Sequence, residues 1–315
     1  MTDSTADGIG DILIEQLGVE IAEIRWITGG DINDAYRAVT SAGTLFVKTR
    51  PNAAPSSFAQ EAAGLRWLAS ARGAPPTPAV VLVHDDPPGD GVANPSPPTP
   101  RFLALRWIEA GPRTPAGEER FGQQLANLHA ADCAAFGWAP PAGGAFSGKA
   151  VSNALQIAEV TLPAHPVDDF ATFWAEQRVL PLAAQAHNAG TFDAADVALM
   201  TRLADRMPEL VGPAEPPSRT HGDLWTGNVL ADTSGKVHLI DPLAHGSHRE
   251  VDLAALRVFG GPDQRCFDAY DEAYPLADGH EERVPLMQLS IILLHVVLFG
   301  GSYAEQARRI ARRYV

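Results

Sequence analysis

Two short segments constrain this chain more than anything else in it: His221-Gly222-Asp223-Leu224-Trp225-Thr226-Gly227-Asn228 and, beyond one short strand, Ile240-Asp241-Pro242. The fold must bring Asp223, Asn228 and Asp241 together if they act as one group. A carboxylate that can take a hydroxyl proton, beside an amide oxygen and a second carboxylate that can hold a divalent cation, is the residue set of phosphoryl transfer. An Asx-rich turn between strands is the alternative use of the same residues.

The 315-residue length allows one large domain or two lobes, and 45% hydrophobic with 20% charged residues is ordinary globular composition. Twenty-four basic against 38 acidic residues leave a net charge of −14, which repels polyanions, so no nucleic-acid partner is expected. An anionic nucleotide would have to be held by local groups. Met1 to Asp7 has neither the basic nor the apolar segment of an export signal. The longest apolar stretch, Leu289 to Phe299, falls short of the ~20 residues a bilayer requires and predicts a buried core helix. A cytoplasmic protein with no membrane partner is expected. Cys133 and Cys266 lie far apart with no metal-ligand spacing, so neither a zinc site nor a disulfide framework is indicated. The oligomeric state stays open, and a monomer is compatible with all of this.

Short β-type runs fill the first third, at Glu20 to Ile27, Ala35 to Thr40, Gly43 to Thr49, Ala79 to His84 and Arg101 to Ile108. They predict a five-strand sheet interrupted by one helix, from about Phe58 to Arg72, with Ser57 and Gln60 in capping-box spacing and Gly73 as its stop. Residues 85 to 100 contain six prolines and two glycines, which predicts a long exposed loop. From Gly111 the apolar period becomes helical, over Glu118 to Ala130, Asp168 to His187 and Asp193 to Val211, then near Arg249, Asp263, Val284 and Ser302. The last helix places Ser302 and Glu305 in capping-box spacing and ends in Arg308, Arg309, Arg312 and Arg313, which suit a solvated face at the negative end of a helix dipole. The expected class is α+β, two-lobed and protein-kinase-like. Residues 1–108 form a small antiparallel-sheet lobe with one key helix, and 109–315 a larger, mainly helical lobe with the catalytic loop, metal site and acceptor site.

Lys48 ends the strand Leu45-Phe46-Val47-Lys48, and Glu61 shares a helical face with Phe58, Leu65 and Leu68. A carboxylate on an apolar stripe needs a partner. A Lys on a strand paired with a Glu on the following helix is the arrangement that fixes nucleotide phosphates in protein kinases. Gly29 and Gly30 join the first two strands, where backbone N–H groups can approach phosphate without side-chain hindrance. An ordinary hairpin turn uses the same residues; their position directly upstream of Lys48 favours the phosphate loop. Trp107 and Glu109, at the lobe boundary, complete the nucleotide set of Gly29, Gly30, Lys48 and Glu61. No G-x-x-x-x-G-K-[ST] occurs, which excludes a Walker-type site. Asp223 is the expected base, Asn228 and Asp241 the expected Mg²⁺ ligands, and His221 a brace for the loop. Trp225 suits a core anchor and a wall for the acceptor equally. His245, His248 and Arg249 either brace the metal loop or line the acceptor site.

These residues resemble those of the fructosamine (ketosamine) kinases, which are similar in fold to aminoglycoside and choline kinases. The resemblance covers nearly the whole chain. It rests on Gly29-Gly30, Phe46-Val47-Lys48, Glu61, Leu65, Leu125-Ala126, Leu128-His129, the His221 to Asn228 segment, Ile240-Asp241-Pro242, His248-Arg249-Glu250, Asp252-Leu253-Ala254, Phe259-Gly260-Gly261 and Leu298-Phe299-Gly300. Trp225 and the His248 to Ala254 segment point to this family over its relatives. The resemblance implies ATP and Mg²⁺ as cofactors. It also implies phosphorylation of the 3-hydroxyl of a fructosamine or ribulosamine, on a small molecule or a protein lysine, promoting deglycation. Phosphate beside the C2 ketone leaves more readily than hydroxide, so elimination can follow and free the amine. Two departures limit the transfer. Asp31 stands where several relatives carry a phosphate-loop cysteine, so redox-sensitive dimerisation is not carried over, and the 85–100 insertion is unlike compact members. An aminoglycoside, an amino alcohol or another small metabolite is the alternative acceptor, and a non-catalytic nucleotide-binding protein is the alternative of another class.

Overall fold

Strand alternation splits the apolar residues of the N-terminal sheet between two faces, and each face is covered by one helix. The computed structural model describes residues 4–28, 33–50, 53–54, 56–85, 100–142 and 154–315. Gly29, Gly30 and residues 86–99 of the proline-rich segment lie outside them. Helix α1 (Ser4–Leu17) precedes β1 (Ile21–Ile27), β2 (Asp34–Thr40) and β3 (Gly43–Thr49); α2 (Ser57–Ala69) leads to β4 (Val80–His84) and β5 (Phe102–Arg106). The strand order is β1-β2-β3-β5-β4, antiparallel throughout. Tyr36, Ala38, Leu45, Val47, Phe102 and Ala104 meet Ile9, Ile12 and Leu13 of α1, while Leu103 and Leu105 meet Phe58, Ala62 and Leu65 of α2. Helix α1 is an addition to the expected elements.

The helical lobe begins with α3 (Pro115–His129) and the hairpin β6 (Ala154–Ile157) and β7 (Val160–Pro163). Helix α4 (Phe170–Trp174) runs through a π-helical turn, Ala175–Val179, into α5 (Leu180–Asn188), followed by α6 (Ala194–Asp205) and α7 (Met207–Leu210). Each of the helices expected over 168–187 and 193–211 is therefore interrupted. Then come β8 (Ser218–Thr220), β9 (Val229–Ala231), β10 (Val237–Leu239), β11 (His245–Ser247), α8 (Arg249–Leu256), α9 (Gln264–Ala273), α10 (His280–Met287), α11 (Leu289–Phe299) and α12 (Ser302–Tyr314). The run His280–Phe299 has the length and hydropathy to cross a membrane, but half of its most apolar window is buried inside the protein.

Two expected caps do not form. Among the described residues the Ser57 hydroxyl has no partner; Asp85 instead accepts the Ala59 N–H at 2.9 Å, and Gln60 donates to the Ala154 carbonyl. At α12 no side chain caps the N-terminus, and Glu305 pairs with Arg308 and Arg312. A capping box does close at α6, between Asp193 and Asp196.

Candidate active site

The ladder β8–β11 encloses the hairpin β9–β10, with Thr220 opposite His245 and Val229 opposite Leu239. This nesting sets the loop 221–228 beside the loop 240–244, because both join the outer ladder to the inner one. Asn228 donates Nδ2 to the Asp223 backbone oxygen at 2.8 Å and to Asp223 Oδ2 at 3.0 Å. Asp241 adopts φ 53 directly before Pro242, a left-handed conformation rare outside glycine that turns its carboxylate out of the strand line. From the sheet, Lys48 Nζ reaches Glu61 Oε2 at 2.6 Å and Asp241 Oδ1 at 3.1 Å. Helix α2 brings Glu61 there by packing tightly on this loop: a Cβ added at Gly64 would lie 3.1 Å from that of Ala244. Burial works against the charge of Lys48, but Asp241 and Glu61 outweigh it and hold its pKa above the ordinary value. Burial raises Glu61 while Lys48 pulls it back. Asp223 is pushed up to about 7, by burial first, with the Asn228 bond opposing.

Below the loop, His221 Nε2–H donates to the Ile240 carbonyl at 2.8 Å, and Nδ1 accepts the Asp223 N–H at 3.3 Å. His221 thus ties the Asp223 loop to the Asp241 loop. Asp252, on α8, accepts the His221 N–H at 2.6 Å and the Gly222 N–H at 3.0 Å. Its Oδ2 also meets His129 Nε2 at 3.3 Å, and His129 Nδ1 meets the Tyr270 hydroxyl at 2.9 Å. Asp252 belongs to the His248 to Ala254 segment that carries the family resemblance, but nothing local in that segment assigns it this supporting role. Trp225 lies over Gly227, where an added Cβ would come within 2.2 Å of the indole. It meets Phe259 edge-on at 5.8 Å, and Phe259 continues to His295 at 5.1 Å and Tyr303 at 6.4 Å. An aromatic wall therefore extends from the catalytic loop across α11 and α12.

A family profile described as fructosamine kinase matches residues 6–315. The chain belongs to the fructosamine kinase family. A "Probable ketoamine kinase" of Lactiplantibacillus plantarum is 30% identical over 94% of this chain and 95% of its own length. The "Protein-ribulosamine 3-kinase, chloroplastic" of Oryza sativa subsp. indica is 29% identical over 96% of this chain and 82% of its own. The crystal structure of a protein designated a fructosamine-3-kinase, from Thermobifida fusca, superposes with a TM-score of 0.81 at 36% identity, covering 96% of this chain and 97% of that one. The fold is thus the two-lobed kinase fold, and the chain is a phosphotransferase that uses ATP and acts on a hydroxyl.

The remaining expected site residues fall in three places. Trp107 Nε1–H donates to Glu109 Oε2 at 3.0 Å, and the Arg37 guanidinium lies 5.5 Å from the Trp107 ring. His245 is buried, donates Nδ1–H to the Leu243 carbonyl at 2.7 Å, and lines the space next to Gly222 and Asp223. Burial, with Arg178 adding to it, pushes its pKa down to about 3. His248 and Arg249 serve elsewhere. His248 caps α8 by accepting the Glu250 N–H at 3.3 Å. Arg249, its side chain 3% exposed, holds Glu215 at 2.6 and 2.8 Å and donates to the carbonyls of Tyr274 and Pro275. The carboxylates of Glu215 and Glu250 are taken by Arg249 and Arg283, so the cluster Glu215, His248 and Glu250 already holds its cations.

Proposed function

We propose that this kinase transfers the γ-phosphate of ATP to the 3-hydroxyl of a ketosamine, of fructosamine or ribulosamine type, on a glycated amine or protein lysine. The observation that carries this reading is the set of contacts joining Asp223 to Asn228 on the Trp225 loop and Asp241 to the Lys48–Glu61 pair on the neighbouring loop. The names of the rice and Lactiplantibacillus relatives support the acceptor class.

Each residue has a role that its contacts support. Lys48, held by Glu61, clamps the nucleotide phosphates, with Trp107 and Glu109 at the nucleotide's outer edge; the nucleotide role of Gly29 and Gly30 rests on the sequence alone. Asn228 spends Nδ2 on Asp223 and keeps its carbonyl oxygen, and Asp241 gives Oδ1 to Lys48 and keeps Oδ2. This all-oxygen donor pair fits Mg²⁺. When bound, that ion would neutralise charge on the phosphates. Asp223 accepts the proton as the acceptor oxygen bonds to phosphorus and the bond to the ADP oxygen breaks. A carboxyl raised to about 7 suits a base working near neutral pH. The Trp225 wall stacks against the acceptor. We also propose the lobe boundary at 108/109, supported by Ala110 bridging to Asp232 and by the Gly111 N–H bond to the Ala231 carbonyl. Dependence on ATP supports a cytoplasmic setting.

A panel of ribulosamines, fructosamines, aminoglycosides and amino alcohols, with ADP release as readout, tests the acceptor. Turnover of ketosamines is expected. Turnover of another alcohol with none of any ketosamine would overturn the assignment, and full activity in Asp223→Ala would overturn the role of the base.

A further inference from the structure

A cavity of about 20 Å³ shares the Gly222–Asp223 wall of the catalytic loop and extends into the helical lobe. Most of its lining is apolar, from Leu162, Leu182, Leu243, Val251 and Leu294, and Trp174, Arg178 and His245 supply buried polar groups. Arg178 comes from the π-helical turn between α4 and α5, over the Phe173 ring at 4.5 Å. Such turns occur mostly as single insertions, frequently at functional sites. Arg178 Nη1 donates to the carbonyls of Pro163 at 2.8 Å and Gln177 at 2.7 Å. Among the described residues its Nη2, which is buried, finds no acceptor, and neither does the indole N–H of Trp174, a fully buried residue.

These are two unspent donors on residues that line one cavity, and one of them carries a charge. Among the described residues no carboxylate pairs with Arg178, and burial alone drives its pKa down. The carboxylate on the wall, Asp223, is bonded to Asn228 instead. An unpaired buried guanidinium is strongly disfavoured unless an anion offsets it. A water molecule would satisfy the donors and leave the charge. The volume of about 20 Å³ exceeds the roughly 10–15 Å³ that one water needs, so an ion of similar size fits. His245 contributes no competing charge, since burial keeps it neutral and its Nδ1 proton goes to Leu243.

We infer that this cavity binds one monovalent anion of halide size, received by Arg178 Nη2 and Trp174 Nε1, as part of the floor beneath the catalytic loop. The inference is independent of which acceptor the kinase uses.

Crystals of the full chain soaked in sodium bromide test it by anomalous scattering at the bromine edge. A bromide peak within hydrogen-bond reach of Arg178 Nη2 and Trp174 Nε1 is expected; a cavity holding only water at saturating bromide overturns the inference. In solution, the thermal midpoint should rise as chloride replaces gluconate at constant ionic strength, because the anion binds the folded chain. Arg178→Met is the direct variant, but it also strips the Pro163 and Gln177 carbonyls of their donor and risks the fold. Trp174→Phe removes one donor and keeps both the charge and a ring. It should need roughly tenfold more chloride for the same rise, as expected for loss of one hydrogen bond to a charged group. An identical chloride response in wild type and Trp174→Phe overturns the inference as well.

Discussion

Asp252→Asn tests whether the catalytic loop is held from below. The residue is 1% exposed, and its carboxylate takes the N–H groups of His221 and Gly222 together with His129 Nε2. An amide cannot reproduce this set. With its oxygen at the Oδ2 position it keeps His221 and His129 and turns an NH₂ toward the Gly222 N–H; in the other orientation it loses two bonds. The better orientation loses one charge-assisted hydrogen bond and strands one buried N–H, a cost of about 3 kcal/mol. The repelled Gly222 carries Asp223 with it, and a displacement near 1 Å costs roughly 100-fold in rate. A fall in kcat of about 10- to 100-fold is therefore expected, with KM for ATP within about twofold because Lys48 and Glu61 are untouched. Urea unfolding and steady-state ADP release measure the two quantities. Burial opposes the charge of Asp252, but the His129 bond and the backbone donor outweigh it and keep the carboxyl below its ordinary value. Its stabilisation is thus present above about pH 4 and lost as pH falls through the lower folded value, so the stabilities of the two proteins should converge in strong acid. A kcat equal to wild type despite a loss of about 3 kcal/mol would make Asp252 a core residue only and refute the positioning role.

Turnover should rise with pH around a midpoint near 7, as Asp223 loses its proton; an acid limb near the ordinary carboxyl value would contradict the burial argument. Because the folded value is raised, ionising Asp223 costs stability between about pH 4 and 7, so Asp223→Asn should abolish turnover yet raise the unfolding midpoint at pH 8 and not at pH 4. Gly227→Ala must displace the Trp225 ring, since the new Cβ would meet it within 2.2 Å. KM for the acceptor should rise with KM for ATP unchanged, and unchanged acceptor kinetics would remove Trp225 from the acceptor wall. Arg249→Met leaves Glu215 without its guanidinium partner and should destabilise by about 3–5 kcal/mol. At a temperature where the variant stays folded, kcat and KM should equal those of wild type; a selective rise in acceptor KM would return Arg249 to the acceptor site.

The residues that could be read from sequence were those whose partners are implied locally. Glu61 on an apolar stripe demands a cation, and a lysine on the preceding strand supplies it; the pair forms at 2.6 Å. Asp223 and Asn228 are five apart in one loop and need no distant element to meet. The five β-type runs form the sheet because alternation is a property of each strand alone. Helix α1 also carried a local signal, Ile9, Ile12 and Leu13 at helical spacing, although its face only finds a purpose once the sheet exists to cover. By contrast, Arg249 finds Glu215 across 34 residues, and Asp252 finds the His221 N–H across 31. No spacing rule links those positions, because the β8–β11 ladder and the packing of α8 bring them together. The same holds for capping: Ser57 has the residue type of a cap, but Asp85 reaches the Ala59 N–H from the end of another strand. Arg178 is the strongest case. A continuous helix over 168–187 would fix the facing of every side chain by one period, and the π turn resets that period at 175–179, where Arg178 lies. The floor of the site therefore depends on a backbone irregularity that side-chain periodicity does not encode.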